Sequence, residues 1–408
     1  MGEEAIHIAH GVLISFAIIF AAGAVAGKIA EVIKVPDVVV YLLIGILIGP
    51  PVLNLIDIPQ ESALNQLMLI LGAAFLLFHG GTGVSFKILK DVWITLTLLA
   101  TVAVFVMVVL VGYTAYAVLG IELAAALLLA AVIASTDPAT LVPIFLAIKI
   151  KDKVAQTVLS ESAFNDATGA IFTFAILAAM TTGQVSAEAS AIKFVVMAGG
   201  GIVIGIFYGL ILGILLSNKF GSIFGEIGQV ILLPAIIAAY MTAEYFGASG
   251  FMAVFIVGLI YGNLKSFGWD IREEYFHAQE AFINNGSLLL RMIIFILLGA
   301  HVDFKVVEQF FVPGLVIVAV FMLIARPLAV LVCTLPDRKA KWTKNEIIFM
   351  FWTRETGVIP AALAGMIYGM GVKHADIISA ITFMAILATL LIQASTTKWL
   401  AKKLDLLE

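Results

Sequence analysis

Ala130-Ala131-Val132-Ile133-Ala134-Ser135-Thr136-Asp137-Pro138-Ala139-Thr140-Leu141 begins as a hydrocarbon helix and loses that character at Ser135. The polar residues and the proline lie inside an otherwise apolar run over 122–147. Proline suits the first turn of a new helix, where its missing N–H leaves nothing unpaired. Thr136 or Asp137 can cap that helix. The run therefore predicts a membrane span broken into two half-helices. A second apolar run, 345–368, is interrupted in the same way at Thr353-Arg354-Glu355-Thr356-Gly357, with Pro360 just beyond. Either run alone also fits a kinked helix; two interruptions at matched places point to a pair of discontinuous helices.

Working outward, the whole chain reads as a membrane protein. Its 408 residues are 62% hydrophobic and only 12% charged, which excludes water as the main solvent. Apolar stretches of about 18 or more residues with few charges mark spanning helices. Charges and Gly/Pro breaks divide the chain into spans at 8–27, 36–54, 63–80, 93–119, 122–147, 156–181, 192–216, 226–247, 249–262, 284–300, 310–334, 345–368 and 375–397, thirteen in all. The N-terminus is acidic at Glu3 and Glu4, unlike a cleaved secretory signal, so the first span is expected to be retained. Cys333 is the single cysteine, which excludes an internal disulfide and a Cys-ligated cluster.

With the N-terminus outside, alternating loops place Lys193, Lys305 and Lys373 outside. Arg291, Arg326 and Arg354 lie in or at the edges of spans, and every other Lys and Arg falls inside. That asymmetry is the positive-inside pattern, and it predicts a cytoplasmic C-terminus. Thirteen spans suit two six-span repeats of opposite topology joined by a linking seventh span. The breaks then fall in spans 5 and 12, seven apart, at corresponding places. Inverted repeats with a midplane site between broken helices are a recurrent transporter architecture.

Five charges lie deep in the apolar runs: Asp137, Glu161, Asp166, Arg326 and Arg354. Each costs at least about 2.5–3.5 kcal/mol at the bilayer centre on insertion scales, so each must pair, neutralise or face water, and each is a functional candidate. Span 6 holds the densest group, Ser160-Glu161-Ser162-Ala163-Phe164-Asn165-Asp166-Ala167-Thr168. Ser162 and Asp166, four apart, share a helix face; Glu161 and Asn165 share the adjoining one. Glu161 and Asp166 point about 140° apart. Asp166 can thus face a cavity while Glu161 meets a structural partner on a neighbouring helix. Thr136, Ser162 and Asn165 add neutral oxygens, the ligand type hard cations require. The plainer reading is that these groups only join helices. Gly201, Gly205 and Gly209 in span 7 fit close helix packing. His79 fits an interfacial histidine, Arg291 a helix-end anchor, and Glu244 a wetted position.

On these motifs the chain resembles the monovalent cation:proton antiporters, in particular the sodium/proton antiporter branch of prokaryotes and archaea. The resemblance runs along essentially the whole chain. It rests on Thr136-Asp137-Pro138, on Glu161-Ser162 with Asn165-Asp166 one span later, on Ile324-Ala325-Arg326-Pro327, and on the Arg354 break. It implies an all-α fold of thirteen helices and a homodimer in which a core domain moves against a dimer domain. The implied dimer domain is 1–92 and 226–305, the core 93–190 and 306–408, and the linking span 191–225. It implies that Asp166 binds the transported ion or proton, joined by Ser162, Thr136 and Asp137, with the monovalent cation held at Asp166, Ser162 and Thr136. It further implies that Asn165 braces the crossing and that Glu161 pairs with Arg326, with Arg354 in the same polar network. The sequence departs from the pattern at Glu355, an added acid in the span 12 break, and at His79, where some archaeal relatives carry a carboxylate.

The function so implied is exchange of Na⁺ or Li⁺ for H⁺ across the cytoplasmic membrane, electroneutral and one for one, with K⁺/H⁺ exchange on the same fold as the alternative. A channel would need a continuous pore, whereas paired broken helices around one carboxylate suggest alternating access. An Asp137/Asp166 protease dyad has no supporting signature. No enzyme activity, cofactor or nucleic-acid partner is expected, and no cytoplasmic regulatory domain is expected after Lys403. The expected partners are the cation, the proton, the lipid bilayer and a second copy of the chain.

Overall fold

The computed structural model describes residues 2–33, 35–56, 58–136, 145, 150–182 and 187–407. Among them the regular elements are helices; no strand occurs, and Ile150 and Leu407 form an isolated antiparallel bridge. In chain order the apolar helices are α1 (Ala9–Ile33), α2 (Asp37–Ile48), α3 (Ala63–Thr82), α4 (Val92–Leu119), α5 (Leu123–Ile133), α6 (Asp152–Met180) and α7 (Phe194–Leu216). They continue as α8 (Gly228–Tyr245), α9 (Gly250–Gly262), α10 (Glu273–Ala300), α11 (Phe311–Thr334), α12a (Lys344–Trp352), α12b (Val358–Gly369) and α13 (Ala375–Lys403). Nine of these described helices are long and apolar enough to cross a membrane; α2, α5, α9 and α12b are shorter apolar helices. The chain is a multi-pass membrane protein.

Several helix limits differ from the hydropathy reading: α1 and α13 run on to Ile33 and Lys403, and two others differ for local reasons. α2 stops at Ile48 rather than near 54, because Gly49-Pro50-Pro51 follows: proline disfavours helix in the residue before it and cannot donate within one. At 1.5 Å per residue α2 spans only about 18 Å, less than the hydrocarbon thickness of about 30 Å. α10 starts at Glu273 rather than 284, so its polar first turns precede its apolar segment. Glu273 and Glu274 in the first turn suit the positive end of the helix dipole.

The helices pack in two groups. In the first, α9 is buried along its length from Gly250 to Tyr261 and lies against α3, α7 and α8, while α10 packs on α2 and α3. The glycine ladder of α7 makes this approach possible: a Cβ at Gly205 would sit 2.5 Å from the Ala253 carbonyl oxygen, and one at Gly201 2.7 Å from that of Ser249. In the second group α5 packs on α4 and α6, α11 on α4, and α12b on α13, while α12b also packs on α3 of the first group. α4, α11 and α13 each contain a π-helical turn, at Leu99–Ala103, Phe321–Ala325 and Thr389–Ala394. Such turns often mark functional sites. The one in α11 directly precedes Arg326. α1 and α7 are peripheral, with 22% of each apolar window buried, against 72% for α13.

A polar clasp ties the second group together at one end. Buried Asp337, in the connection after α11, accepts hydrogen bonds from the Thr95 N–H (3.1 Å) and hydroxyl (2.7 Å) on α4 and from the Ala340 N–H (3.1 Å). Trp342 Nε1 donates to the same Thr95 hydroxyl (2.9 Å). Lys153 on α6 lies 4.1 Å from the Trp342 ring centroid and pairs with Glu346 of α12a at 3.1 Å. Thr343 and Glu346 form a capping box that starts α12a. Burial by itself would raise the Asp337 carboxyl, but the Thr95 and backbone hydrogen bonds outweigh it and hold the group below its usual value. Asp337→Ala is therefore expected to cost about 1–3 kcal/mol by leaving buried donors unpaired. Because the folded value is the depressed one, the carboxylate's contribution is complete above the ordinary value near ~4 and is lost as pH falls through the lower folded value. Melting of wild type and variant in detergent should show a gap at neutral pH that narrows on strong acidification. A gap that widens in acid would contradict this role for Asp337.

Candidate functional site

The site forms where α5 ends, where α12a and α12b are separated, and where α6 passes both. α5 is helical to Ile133; Ala134 is a turn, and Ser135 and Thr136 leave the helix. Asp137 and Pro138 lie outside the described residues. Thr353–Gly357 is non-helical between α12a and α12b, and every residue in it is buried. α6 comes close to the first break: a Cβ at Gly169 would lie 3.1 Å from Ser135 Cβ.

Asn165 links α6 to the end of α5. Its Oδ1 accepts from the Thr136 backbone N–H at 3.0 Å, and its Nδ2 donates to Thr136 Oγ1 at 2.9 Å. That hydroxyl donates in turn to Ser162 Oγ at 2.9 Å. An amide side chain thus satisfies a backbone donor freed by the break, which a buried polar group requires. Asp166 follows Asn165 and lies one turn beyond Ser162, with only 6% of its surface exposed. Thr136, Ser162 and Asn165 are buried as well, so neutral oxygens gather at the first break beside the turn of α6 that carries Asp166.

On the other face of α6, Glu161 meets Arg326 of α11. Arg326 Nη2 donates to Glu161 Oε2 at 2.9 Å and Nη1 to Oε1 in a bidentate pair. Both side chains are about 1–2% exposed. Arg326 Nε donates to the Met350 carbonyl of α12a at 3.0 Å, so one guanidinium holds α6, α11 and α12a together. Paired with each other, and with Arg326 further bonded to the Met350 carbonyl, the two charges meet the condition for burial. Arg354, in the second break, donates through Nη2 to the Ala134 carbonyl at the C-terminal end of α5, and its guanidinium lies 4.4 Å from the Phe321 ring centroid. A cation there opposes the negative end of the α5 dipole. Glu355 is wholly buried in the same segment.

Some participants escaped the sequence reading. The Thr356 backbone N–H donates to Thr389 Oγ1 of α13 at 3.0 Å, so a side chain on α13 serves the second break as Asn165 serves the first. Trp352 Nε1 donates to Thr396 Oγ1 at 2.7 Å, and Gln393, 1% exposed, lies between these two contact points along α13. The available signal was Thr389, Gln393 and Thr397 at four-residue intervals in an apolar span. Arg291, read as a helix-end anchor, pairs with Asp37 at 2.8 Å and joins the middle of α10 to the start of α2. His79 and Glu244 lie on α3 and α8, apart from the first-break cluster in sequence and element. Among the described residues no cluster of His, Cys, Asp and Glu suited to a metal ion occurs.

The model of the transmembrane sodium/hydrogen exchanger family matches residues 15–403. The probable Na⁺/H⁺ antiporter 2 of Methanocaldococcus jannaschii is 32% identical, over 94% of this chain and 95% of its own. The K⁺/H⁺ antiporter NhaP of Alkalimonas amylolytica is 27% identical, over 95% of this chain and 66% of its own. The solved structure of the sodium proton antiporter MjNhaP1 from Methanocaldococcus jannaschii at pH 8 superposes with a TM-score of 0.82 at 29% identity, covering 97% of this chain and 99% of that one.

Proposed function

The chain belongs to the sodium/hydrogen exchanger family, and from that premise we propose that it is a secondary antiporter exchanging Na⁺ or Li⁺ for H⁺ around Asp166. The observation that carries the site is the buried Asp166 carboxylate one turn from Ser162, whose hydroxyl is bonded to Thr136 at the α5 break. Asp166, Ser162 and Thr136 supply oxygens to the cation, and Asp137 joins them. Asn165, Glu161, Arg326 and Arg354 hold the breaks in register. Addition of Na⁺, Li⁺ or K⁺ to proteoliposomes with a trapped pH dye tests the reading. Na⁺ and Li⁺ are expected to drive proton movement; a response to K⁺ alone would transfer the site to K⁺/H⁺ exchange.

In this reading α1 to α13 form thirteen crossings, α12a and α12b counting as one, arranged as inverted six-helix repeats around α7. Support comes from breaks in the fifth and twelfth helices, and from π-helical turns in α4 and α11, again seven apart. The first packing group apart from the linking α7, within 1–92 and 226–305, is the dimer domain, and the second, within 93–190 and 306–408, is the moving core. Apolar side chains exposed on α1 and α7, such as Leu13 (65%) and Phe207 (59%), supply surface for lipid and for a second copy. The cell membrane, with the N-terminus outside, is the location the Lys/Arg asymmetry supports.

Exchange should be one for one. The deep positions of spans 5, 6 and 12 hold no lysine to release a second proton. Asn165 cannot titrate. Glu161 is bound to Arg326, and of the remaining deep carboxylates Asp166 is the one assigned to alternate between proton and cation; titration of Asp137 or Glu355 alongside it would break the one-for-one count. Competition for that carboxylate gives a bell-shaped pH profile: protons displace the cation in acid, and proton return limits turnover in alkali. With a K⁺/valinomycin potential imposed, the balance point of exchange is expected to stay still. A balance point that moves with voltage would show net charge transfer and remove the one-for-one stoichiometry.

A further inference from the structure

We propose that a cavity walled by α4, α5, α6 and α7 is a binding site for an acyl chain of a membrane lipid. It has a volume of about 740 Å³ and is lined by Thr101, Phe105, Leu127, Phe172, Ala175 and Val195, among others. Three aromatic rings meet in its lining: the Phe172 centroid lies 4.7 Å from that of Phe194 and 6.4 Å from that of Phe105. Small side chains, Ala124, Ala175 and Ala179, open the space between helices. The inner wall is protein interior, with Val108 4% and Ala175 7% exposed. The rim faces outward, with Phe105 54% and Val195 67% exposed, so the cavity opens to whatever bathes these apolar helices.

The chemistry of the wall selects the occupant. The one hydroxyl among the lining residues, that of Thr101, donates to the Thr97 carbonyl of its own helix at 2.7 Å. A water needs two to four polar partners, and a polar ligand would lose its hydration without replacement. Hydrocarbon loses nothing there, and it gains dispersion contacts that the wall atoms otherwise lack on one side. In a multi-pass membrane chain the hydrocarbon present at such a rim is the lipid tail. The cavity differs from ordinary lipid-facing surface because it is recessed and walled on several sides, so a chain in it touches protein around much of its girth. The site is distinct from Asp166 and does not depend on which cation is exchanged.

The full chain, reconstituted in liposomes with a trace of phosphatidylcholine carrying a photoreactive acyl chain, tests this. After illumination and peptide mapping, label is expected to concentrate on the segments holding Phe105, Leu127 and Ala175, above the level on the bilayer-facing Leu13 and Val25 of α1. Ala175→Phe fills the cavity and should lower labelling at Phe105 several-fold while leaving Leu13 unchanged. Ala124→Leu, a smaller filling on a different wall, serves the same purpose if the first variant does not insert. Labelling of the cavity walls no stronger than that of α1, label confined to the rim at Val195, or label undiminished in a filled variant that inserts normally would each overturn the proposal.

Discussion

Asp166→Asn is expected to reduce exchange in proteoliposomes to the level of empty vesicles while the protein still inserts and assembles. Asparagine keeps the size and shape of aspartate, so the packing of α6 against the α5 break is retained. What disappears is the capacity to carry a proton at one moment and a negative charge at the next. The neutral partners do not supply that capacity. Thr136 and Ser162 do not titrate near neutrality, and the Asn165 amide is engaged at the break by its bonds to Thr136. Release of protons on adding Na⁺ to the purified protein should vanish with transport, because one carboxylate is assigned both roles. Sustained exchange by a monodisperse Asp166→Asn protein would remove Asp166 from the centre of the mechanism. Ser162→Ala, which deletes a neutral ligand and its bond to Thr136, should weaken apparent cation affinity and spare the proton step.

Glu161→Ala and Arg326→Ala are expected to act on stability, by about 3–5 kcal/mol each, since either leaves its partner charged, buried and unpaired. Arg326→Ala also strands the Met350 carbonyl, so it should be the more damaging of the two. Replacing both members with apolar residues of similar volume, Glu161→Leu with Arg326→Met, should recover much of the loss, because no lone charge then remains. Thermal melting in detergent reads the series. Single variants that melt with wild type would contradict a role for the pair in holding α6, α11 and α12a together. A double variant that melts well yet transports poorly would assign the pair a part in transport beyond stability.

Much of this molecule was legible in one dimension. The nine long apolar helices among the described residues follow from hydropathy, a property of each segment alone, and the helices near 63–82, 228–245 and 250–262 match their apolar runs closely. The interruption of span 12 at Thr353–Gly357 was legible because polar residues and a nearby proline act on the backbone locally. The separation of Asp166 from Glu161 on α6 follows from helical rise and rotation. Helix ends were less legible: hydropathy reports where the hydrocarbon lies, and α10 extends past it while α2 stops short of it.

Partnership was the part that tertiary structure decided. The residues alone placed Glu161 toward some structural partner, and the family resemblance named Arg326. Neither disclosed that the same guanidinium also takes the Met350 carbonyl, or that Arg354 turns to the Ala134 carbonyl 220 positions away. Thr389 at the second break and Asp337 beneath Thr95 were equally hidden. The physical reason is that a helix specifies which side chains share its face, whereas their partners depend on which other helix is packed there and at what depth. In an apolar environment hydrophobicity distinguishes poorly between neighbouring helices, so close packing at small residues and the satisfaction of buried polar groups settle the arrangement.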